Sequence, residues 1–493
     1  MNNPIKKLAG QTAVYGLPSI VGRFLNYLLV PLYTSEFVFK NPGDYGVVSE
    51  LYAWIAFLMV ALTFGMETAF FKFLSESKDD AERKGVFNNA LLSLLLINGV
   101  FFILLIVFHP FIAEKLLYAA NPEYVILIGS IVVIDAVTAL PMAKLRAEQK
   151  AKKFAFIQLS GIGVNIGLNL ILLLLFFDSE NPAQGVRYIL YANVAASLIK
   201  PLILFKDFLG MKFKLDFTLT KSMVWYSFPL ALAGLAFIIN ETIDRILLKH
   251  LTFRANVASL GSSDALEEAV TQVGIYSASY KLALLVTIFL QAYRYAAEPF
   301  FFAQAKSEDR NKTYRKVMNY FVAVVFFCFL FVTLNIDVFK HFIPNKNYWE
   351  GLQVVPILLM ANVFLGIYVN QSIWYKLSGQ TRFGAYIAIG GAIFTIVANI
   401  ILIPKYGYIA CAWVTLFAYG MQLVASYVLG QKHYPIPYNV KRFVTYGVFA
   451  LLAFYSLKTL DLNYGIAQLI LHNGIIALFI LLVFYLEIKK KID

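Results

Sequence analysis

Along most of this chain the hydrophobic positions come in unbroken runs of about twenty residues, the length a helix needs to cross a hydrocarbon core. The stretch LLSLLLINGVFFILLIVF is continuously apolar, whereas the strands of a membrane barrel alternate every second residue over about ten positions. Each run is therefore expected to be a helix. Windows of about 19 residues predict spans at 10–32, 47–72, 86–108, 123–143, 154–177, 187–209, 223–248, 274–299, 317–339, 352–373, 384–403, 408–430, 443–460 and 466–487. The expected fold class is an all-α polytopic membrane protein of about 14 transmembrane helices. The first run follows MNNPIKKLAGQ. It is too long for a signal peptide and has no small-residue cleavage pattern, so it is expected to stay as the first span.

The pattern repeats. Tyr15-Gly-Leu-Pro18 echoes Tyr226-Ser-Phe-Pro229, and Glu67-Thr-Ala-Phe-Phe echoes Glu298-Pro-Phe-Phe. KLRAEQKAKKF from Lys144 echoes KLSGQTRF from Lys376, and Asn169-Leu-Ile-Leu echoes Asn399-Ile-Ile-Leu. The offsets are 211, 231, 232 and 230 residues, so one insertion of about twenty residues reconciles them, and a long outer loop at 251–272 is expected to supply it. Six spans separate the copies; an even number makes the repeats parallel, related by an axis along the membrane normal. The expected organisation is a six-helix lobe at 1–210, a second at 211–432 and two additional helices at 433–493.

Composition sharpens this picture. Of 493 residues 60% are hydrophobic and 14% charged, against about 45–50% and 25% in soluble domains. Spans and short loops consume the length, leaving no room for a catalytic head, a folded nucleic-acid module or an ATP-hydrolysing domain. The net charge of +13 belongs to loop lysines and arginines. With the N-terminus inside, the inner segments carry about three basic residues for each outer one, Lys144, Arg146, Lys150, Lys152 and Lys153 among them and Lys115, Arg187 and Lys249 on the other side. Both termini are thus expected to be cytoplasmic, with no nucleic-acid partner. Cys328 and Cys411 sit in apolar runs, giving neither a disulfide framework nor a metal-binding pair. GxxxxGK[ST], HExxH and GxSxG are all missing, so no cofactor, metal or catalytic residue is expected.

Charges inside spans cost about 2.5–3.5 kcal/mol on insertion scales and each needs a reason. Arg23 lies about 20 Å along span 1, on a face with Gly16, Ser19, Asn26 and Tyr27. It either lines a wet cavity or forms a structural ion pair with Glu67 or Asp135. Span 8 carries Tyr280, Thr287, Gln291, Arg294 and Glu298 in a stripe, with Lys281 one residue off it. Arg294 and Glu298, four apart, either neutralise each other or serve a ligand, and Lys281 is placed about two turns from the outer end. Glu241, Asp244 and Arg245 end span 7; snorkelling to the interface accounts for Arg245, and the acids are candidates for a proton or cation. Asp135 and Lys200 are isolated charges open to either reading. Gln158, Gly161, Asn165 and Asn169 make a neutral polar stripe suited equally to helix packing and to sugar contact.

The segments GDYGVVSELYAW, GMETAFFKF, DRILLKHL and VGIYSASYKLALL resemble the polysaccharide transporter branch of the multidrug/oligosaccharidyl-lipid/polysaccharide exporter superfamily, which contains bacterial O-antigen and capsule-repeat flippases. The resemblance covers essentially the whole chain. It implies a bacterial inner-membrane protein with two lobes around a basic cavity. The implied activity is flipping of an undecaprenyl-diphosphate-linked oligosaccharide for cell-surface polysaccharide or lipopolysaccharide biosynthesis, with membrane lipids and other polysaccharide-assembly proteins as partners. Arg23 matches the family's arginine in the first span, and Asp244-Arg245 its usual DR pair. Arg23, Asn26, Lys281 and Arg294 are the expected diphosphate and cavity groups, since a diphosphate needs cationic donors. Glu67, Asp135, Lys200, Glu241, Asp244, Arg245 and Glu298 are left for ion coupling or cavity ion pairs. Lipid II flippases share the fold. A drug/cation antiporter would want acids at the midplane, which Asp135 offers and Arg23 opposes, and a membrane glycan-processing enzyme would need catalytic acids in an outer loop, for which Asp264, Glu267 and Glu268 are meagre.

Overall fold

The computed structural model describes residues 20–210, 213–305, 307–459 and 465–487. The start of span 1, with its Tyr15–Pro18 motif, lies outside the described residues. The described chain is helical, with no strand among the described residues. Its long elements are α1 (Ile20–Tyr33), α2 (Pro42–Glu76), α3 (Asp80–Lys115), α4 (Glu123–Ala147), α5 (Ala151–Leu175), α6 (Pro182–Ile203) and α7 (Phe217–Leu260). They continue as α8 (Ser262–Gln304), α9 (Arg310–Leu334), α10 (Lys346–Leu377), α11 (Arg382–Tyr406), α12 (Tyr408–His433), α13 (Val440–Thr459) and α14 (Ile466–Glu487). Each predicted span falls on one of them. Among the described residues, 11 helices are long and apolar enough to cross a membrane. The protein is a multi-pass membrane protein.

The predicted outer loop at 251–272 is corrected. Residues there are helical: α7 runs 44 residues and α8 43, separated by Gly261 at φ +83°. The run LTFRANVASLGSSDALEEAVTQ lacks the hydropathy of a span yet keeps good helix formers, and both helices continue beyond the apolar stretch. Lys281 sits about five turns from the start of α8, the first three of which precede the apolar stretch that begins at 274.

Helix ends follow local chemistry. The Asn41 side chain accepts from the Gly43 N–H and precedes Pro42 at the first helical position of α2. Asp79 accepts from the Glu82 N–H, while Glu82 accepts from the Lys78 N–H just ahead of the cap, closing the entry to α3. The α2 rod breaks at Phe64 and Gly65, both left-handed at φ 49° and 66°. Gly65 turns its bare Cα toward the Ser227 carbonyl of α7, which a side chain would crowd.

The chain divides into two compact units, residues 13–274 with 399–407, and residues 275–398 with 408–493. This division reports packing: α7 lies along α2 in the first unit. In that unit Met66, Phe70, Val86, Leu91, Leu94, Leu140 and Met223 form a core shared by α2, α3, α4 and α7. Gly46 of α2 and Gly274 of α8 cross there at backbone contact; a Cβ on either would overlap a carbonyl oxygen, of Val270 or of Pro42. In the second unit α10 packs along α12, and α9 receives α13 and α14. The buried Glu487 carboxylate fastens the last helix there, accepting from Arg442 Nη1 (2.5 Å), Tyr446 Oη (3.0 Å) and Asn319 Nδ2 (3.2 Å).

Candidate functional site

The first unit carries eight of the eleven candidate residues, all but Lys281, Arg294 and Glu298. Its α1 presents Arg23 and Asn26, both exposed. Asn165 Nδ2 of α5 donates to Asn26 Oδ1 at 3.0 Å, Asn169 Nδ2 donates to Asn165 Oδ1 at 3.0 Å, and Tyr33 Oη donates to Asn169 Oδ1 at 2.8 Å. Steps of four place Asn165 and Asn169 on one face of α5, so this ladder packs α5 to α1 and leaves Asn26 as its open end.

The charges pair differently from expectation. Lys200 Nζ of α6 lies 2.8 Å from Asp135 Oδ1 of α4, both partly exposed. Arg146 pairs with Glu67 Oε1 at 2.5 Å, and Lys144 with Asp207 Oδ1 at 2.6 Å. Neutralisation of Arg23 by Glu67 or Asp135 is thereby corrected, because each acid already has a cation on a neighbouring helix. Arg23 instead presents an exposed guanidinium. Lys150, in the exposed turn before α5, has its pKa raised by the hydrogen bond and charge of Glu148 2.7 Å away and stays cationic.

Arg245 is also corrected. It does not snorkel; it is 9% exposed, with Nη1 3.1 Å from Asp244 Oδ1 and 3.0 Å from the Glu241 carbonyl. Asp244 takes the Arg245 N–H as well, at 2.8 Å, so this acid is occupied by local hydrogen bonds and Glu241 contributes its backbone.

Sequence reasoning missed a further cluster. Lys249 and Glu50 are both wholly buried, 2.6 Å apart between α7 and α2. Lys249 also donates to the Leu116 carbonyl at 2.6 Å and stands 3.6 Å over the Tyr118 ring. Glu50 accepts from Trp54 Nε1 at 3.0 Å and, through a very short hydrogen bond, from the Tyr118 hydroxyl. Burial first, then the Glu50 charge, hold that phenol well above its ordinary pKa, so it stays a donor. Lys249 looked like one more basic residue at a helix end; its signal was position, one turn past Arg245 on the same face.

The second unit carries Lys281, half-buried, and Arg294, exposed, both on α8. Glu298 lies on the same helix, with its side chain outside the described residues, so the Arg294–Glu298 pairing falls there too. Asn370 Nδ2 donates to Tyr293 Oη at 2.5 Å. Between α9, α10, α12 and α13 an apolar groove of about 800 Å³ opens, lined by Phe329, Met360, Phe364, Leu423, Val444 and Phe454 among others. Among the described residues no cluster of three or more His, Cys, Asp or Glu could hold a metal.

Helices of this number and order define a class of fold, the polytopic bundle of membrane helices. The fold matches a lipid II flippase in an inward closed conformation with a TM-score of 0.65 at 14% identity, over 95% of this chain and 98% of that one. It also matches a multidrug resistance MATE family transporter of the MOP superfamily, inward-facing at a TM-score of 0.56 and outward-facing at 0.55, both 14% identical, over 93% and 91% of this chain and 96% and 98% of theirs. An uncharacterized membrane protein of Methanocaldococcus jannaschii is 22% identical over 424 residues, 80% of this chain and 78% of its own. The family described as polysaccharide biosynthesis protein matches residues 8–303, and the chain belongs to it, within the multidrug/oligosaccharidyl-lipid/polysaccharide exporter superfamily.

Proposed function

We propose that this protein flips an undecaprenyl-diphosphate-linked oligosaccharide across a bacterial inner membrane, for assembly of a cell-surface polysaccharide such as O-antigen. Membership of the polysaccharide biosynthesis family over residues 8–303 carries the reading. The physical chemistry of the chain supports it. A polyprenyl tail needs an apolar track, and the groove between α9, α10, α12 and α13 is lined almost wholly by aliphatic and aromatic side chains. A diphosphate needs fixed cations, and each unit is assigned its own candidates, Arg23 in the first and Lys281 and Arg294 in the second, with Asn26 at the open end of the asparagine ladder for the sugar. Glu67, Asp135, Lys200, Glu241, Asp244, Arg245 and Glu298 serve as cavity ion pairs or coupling groups. The protein is read as a transporter rather than an enzyme, needing no cofactor. We assign the lobes to 1–210 and 211–432 and the added pair to 433–493. The likeness to a lipid II flippase favours one second reading, a lipid-linked cell-wall precursor as cargo.

The test is chemical. Cells lacking the protein are expected to accumulate one lipid-linked oligosaccharide on the cytoplasmic leaflet, identified by mass spectrometry of extracted lipids. An unchanged lipid-linked pool would end the reading, and accumulation of lipid II would select the second one.

Orientation is tested separately. Cysteines placed singly at the exposed Ser262 and Lys150, with Cys328 and Cys411 replaced by alanine, are expected to react with a membrane-impermeant maleimide from outside and inside respectively. The opposite pattern would invert the topology.

A further inference from the structure

A charge pair sealed from solvent has no role in binding a cargo, yet the first unit holds one where α2 begins and α7 nears its end. Glu50 has three donors, on α2 (Trp54), on the turn after α3 (Tyr118) and on α7 (Lys249). Lys249 answers with that carboxylate, the Leu116 carbonyl and the face of the Tyr118 ring. The turn is shaped for the purpose. Leu117 takes the left-handed φ of 62° that glycine usually supplies at a helix end, closed by the Tyr118 N–H on the Ala113 carbonyl at 2.7 Å. Strain of that kind persists where the surroundings over-determine it, and here it delivers Leu116 and Tyr118 together onto Lys249. One turn before Glu50, on the same face of α2, Gly46 makes the backbone crossing with Gly274.

We propose that Glu50 and Lys249 form a latch that holds the beginning of α2 against the end of α7, and that transport requires the pair to part. The inference rests on the transporter reading for its purpose, and the topology proposed above places the latch at the outer end. Its logic is that of a buried ion pair. With both ions present the closed state satisfies each; with one removed the other keeps its hydrogen bonds but is left as a buried charge with no counter-charge, which is far worse than having neither. Opening rehydrates both ions together. Removing one partner therefore favours the open state, and removing both restores closure.

Thr252 reports on this. It lies on α7 three residues past Lys249, 4% exposed. In protein lacking native cysteines and reconstituted in liposomes without substrate, Thr252→Cys is expected to react slowly with an impermeant maleimide. Glu50→Gln and Lys249→Met should each raise that rate by about a hundredfold, the scale of a stranded buried charge. Tyr118→Phe, which removes one donor, should raise it less. The double variant Glu50→Gln/Lys249→Met should return to within a few-fold of the parent. Single variants that label like the parent would overturn the latch, as would a double variant labelling as fast as the singles. A matching rise at Ala143→Cys, buried in the α4 core, would mean general loosening and would also overturn it. No cargo is needed, so a failed flipping reading leaves this outcome standing, and a failed latch leaves flipping untouched.

Discussion

Arg23→Ala is expected to reduce transport of the lipid-linked cargo by about tenfold or more, the scale of one lost charge-assisted hydrogen bond, while abundance and thermal midpoint stay at the parent values. The asymmetry follows from exposure. Arg23 is open on α1, and the acids expected to neutralise it are engaged elsewhere, Glu67 with Arg146 and Asp135 with Lys200. Truncation therefore strands no buried partner and leaves no cavity, and such surface changes alter stability by about 0.5 kcal/mol or less. What is lost is a guanidinium able to hold a diphosphate with two parallel hydrogen bonds. Arg23→Lys keeps the charge and loses the fork, so partial activity would mean that field strength suffices and near-complete loss that geometry is required. Normal transport by Arg23→Ala would remove Arg23 from the site.

Gly274→Ala is expected to act in the opposite manner, through the fold. A Cβ there meets the Pro42 carbonyl, which is backbone and cannot rotate aside, so α2 and α8 must separate. Overpacking of this kind costs about 1–3 kcal/mol and should lower the thermal midpoint in detergent. Gly46→Ala should cost about the same, since its Cβ meets the Val270 carbonyl across the same crossing. The double variant should cost clearly less than both together, because the first alanine already opens the gap the second needs. Gly85→Ala is the control. Nothing lies within 4 Å of a Cβ there, and alanine is the better helix former by about 1 kcal/mol. A tolerated Gly274→Ala would show that the crossing yields, and the close approach would then have no structural force.

How far the sequence reached can be judged residue by residue. Helix positions were legible because hydrocarbon forces every backbone polar group to bond within its own segment, so an apolar run of sufficient length has one outcome. The stretch 251–272 was misjudged because hydropathy detects the bilayer and not the helix. Polar residues such as Asp264, Glu267 and Glu268 end a hydrophobic window while leaving the backbone free to stay helical.

For the charged residues, position along each helix was legible but the partners were not. Asp135 and Lys200 are 65 residues apart, Glu67 and Arg146 are 79, and Glu50 and Lys249 are 199. A pair forms only where two helices meet at matching height and rotation. Helix rotation depends on packing contacts such as the bare α-carbons of Gly46 and Gly274, and these are visible only once neighbours are known. Composition and periodicity determined that this chain is a bundle of membrane helices with cations concentrated at one side. Tertiary structure decided which cations lie exposed, as Arg23 does, and which are paired with a neighbour, as Lys200 and Lys249 are. The reason is physical: insertion into a bilayer is a property of one segment, whereas neutralising a buried charge always takes two.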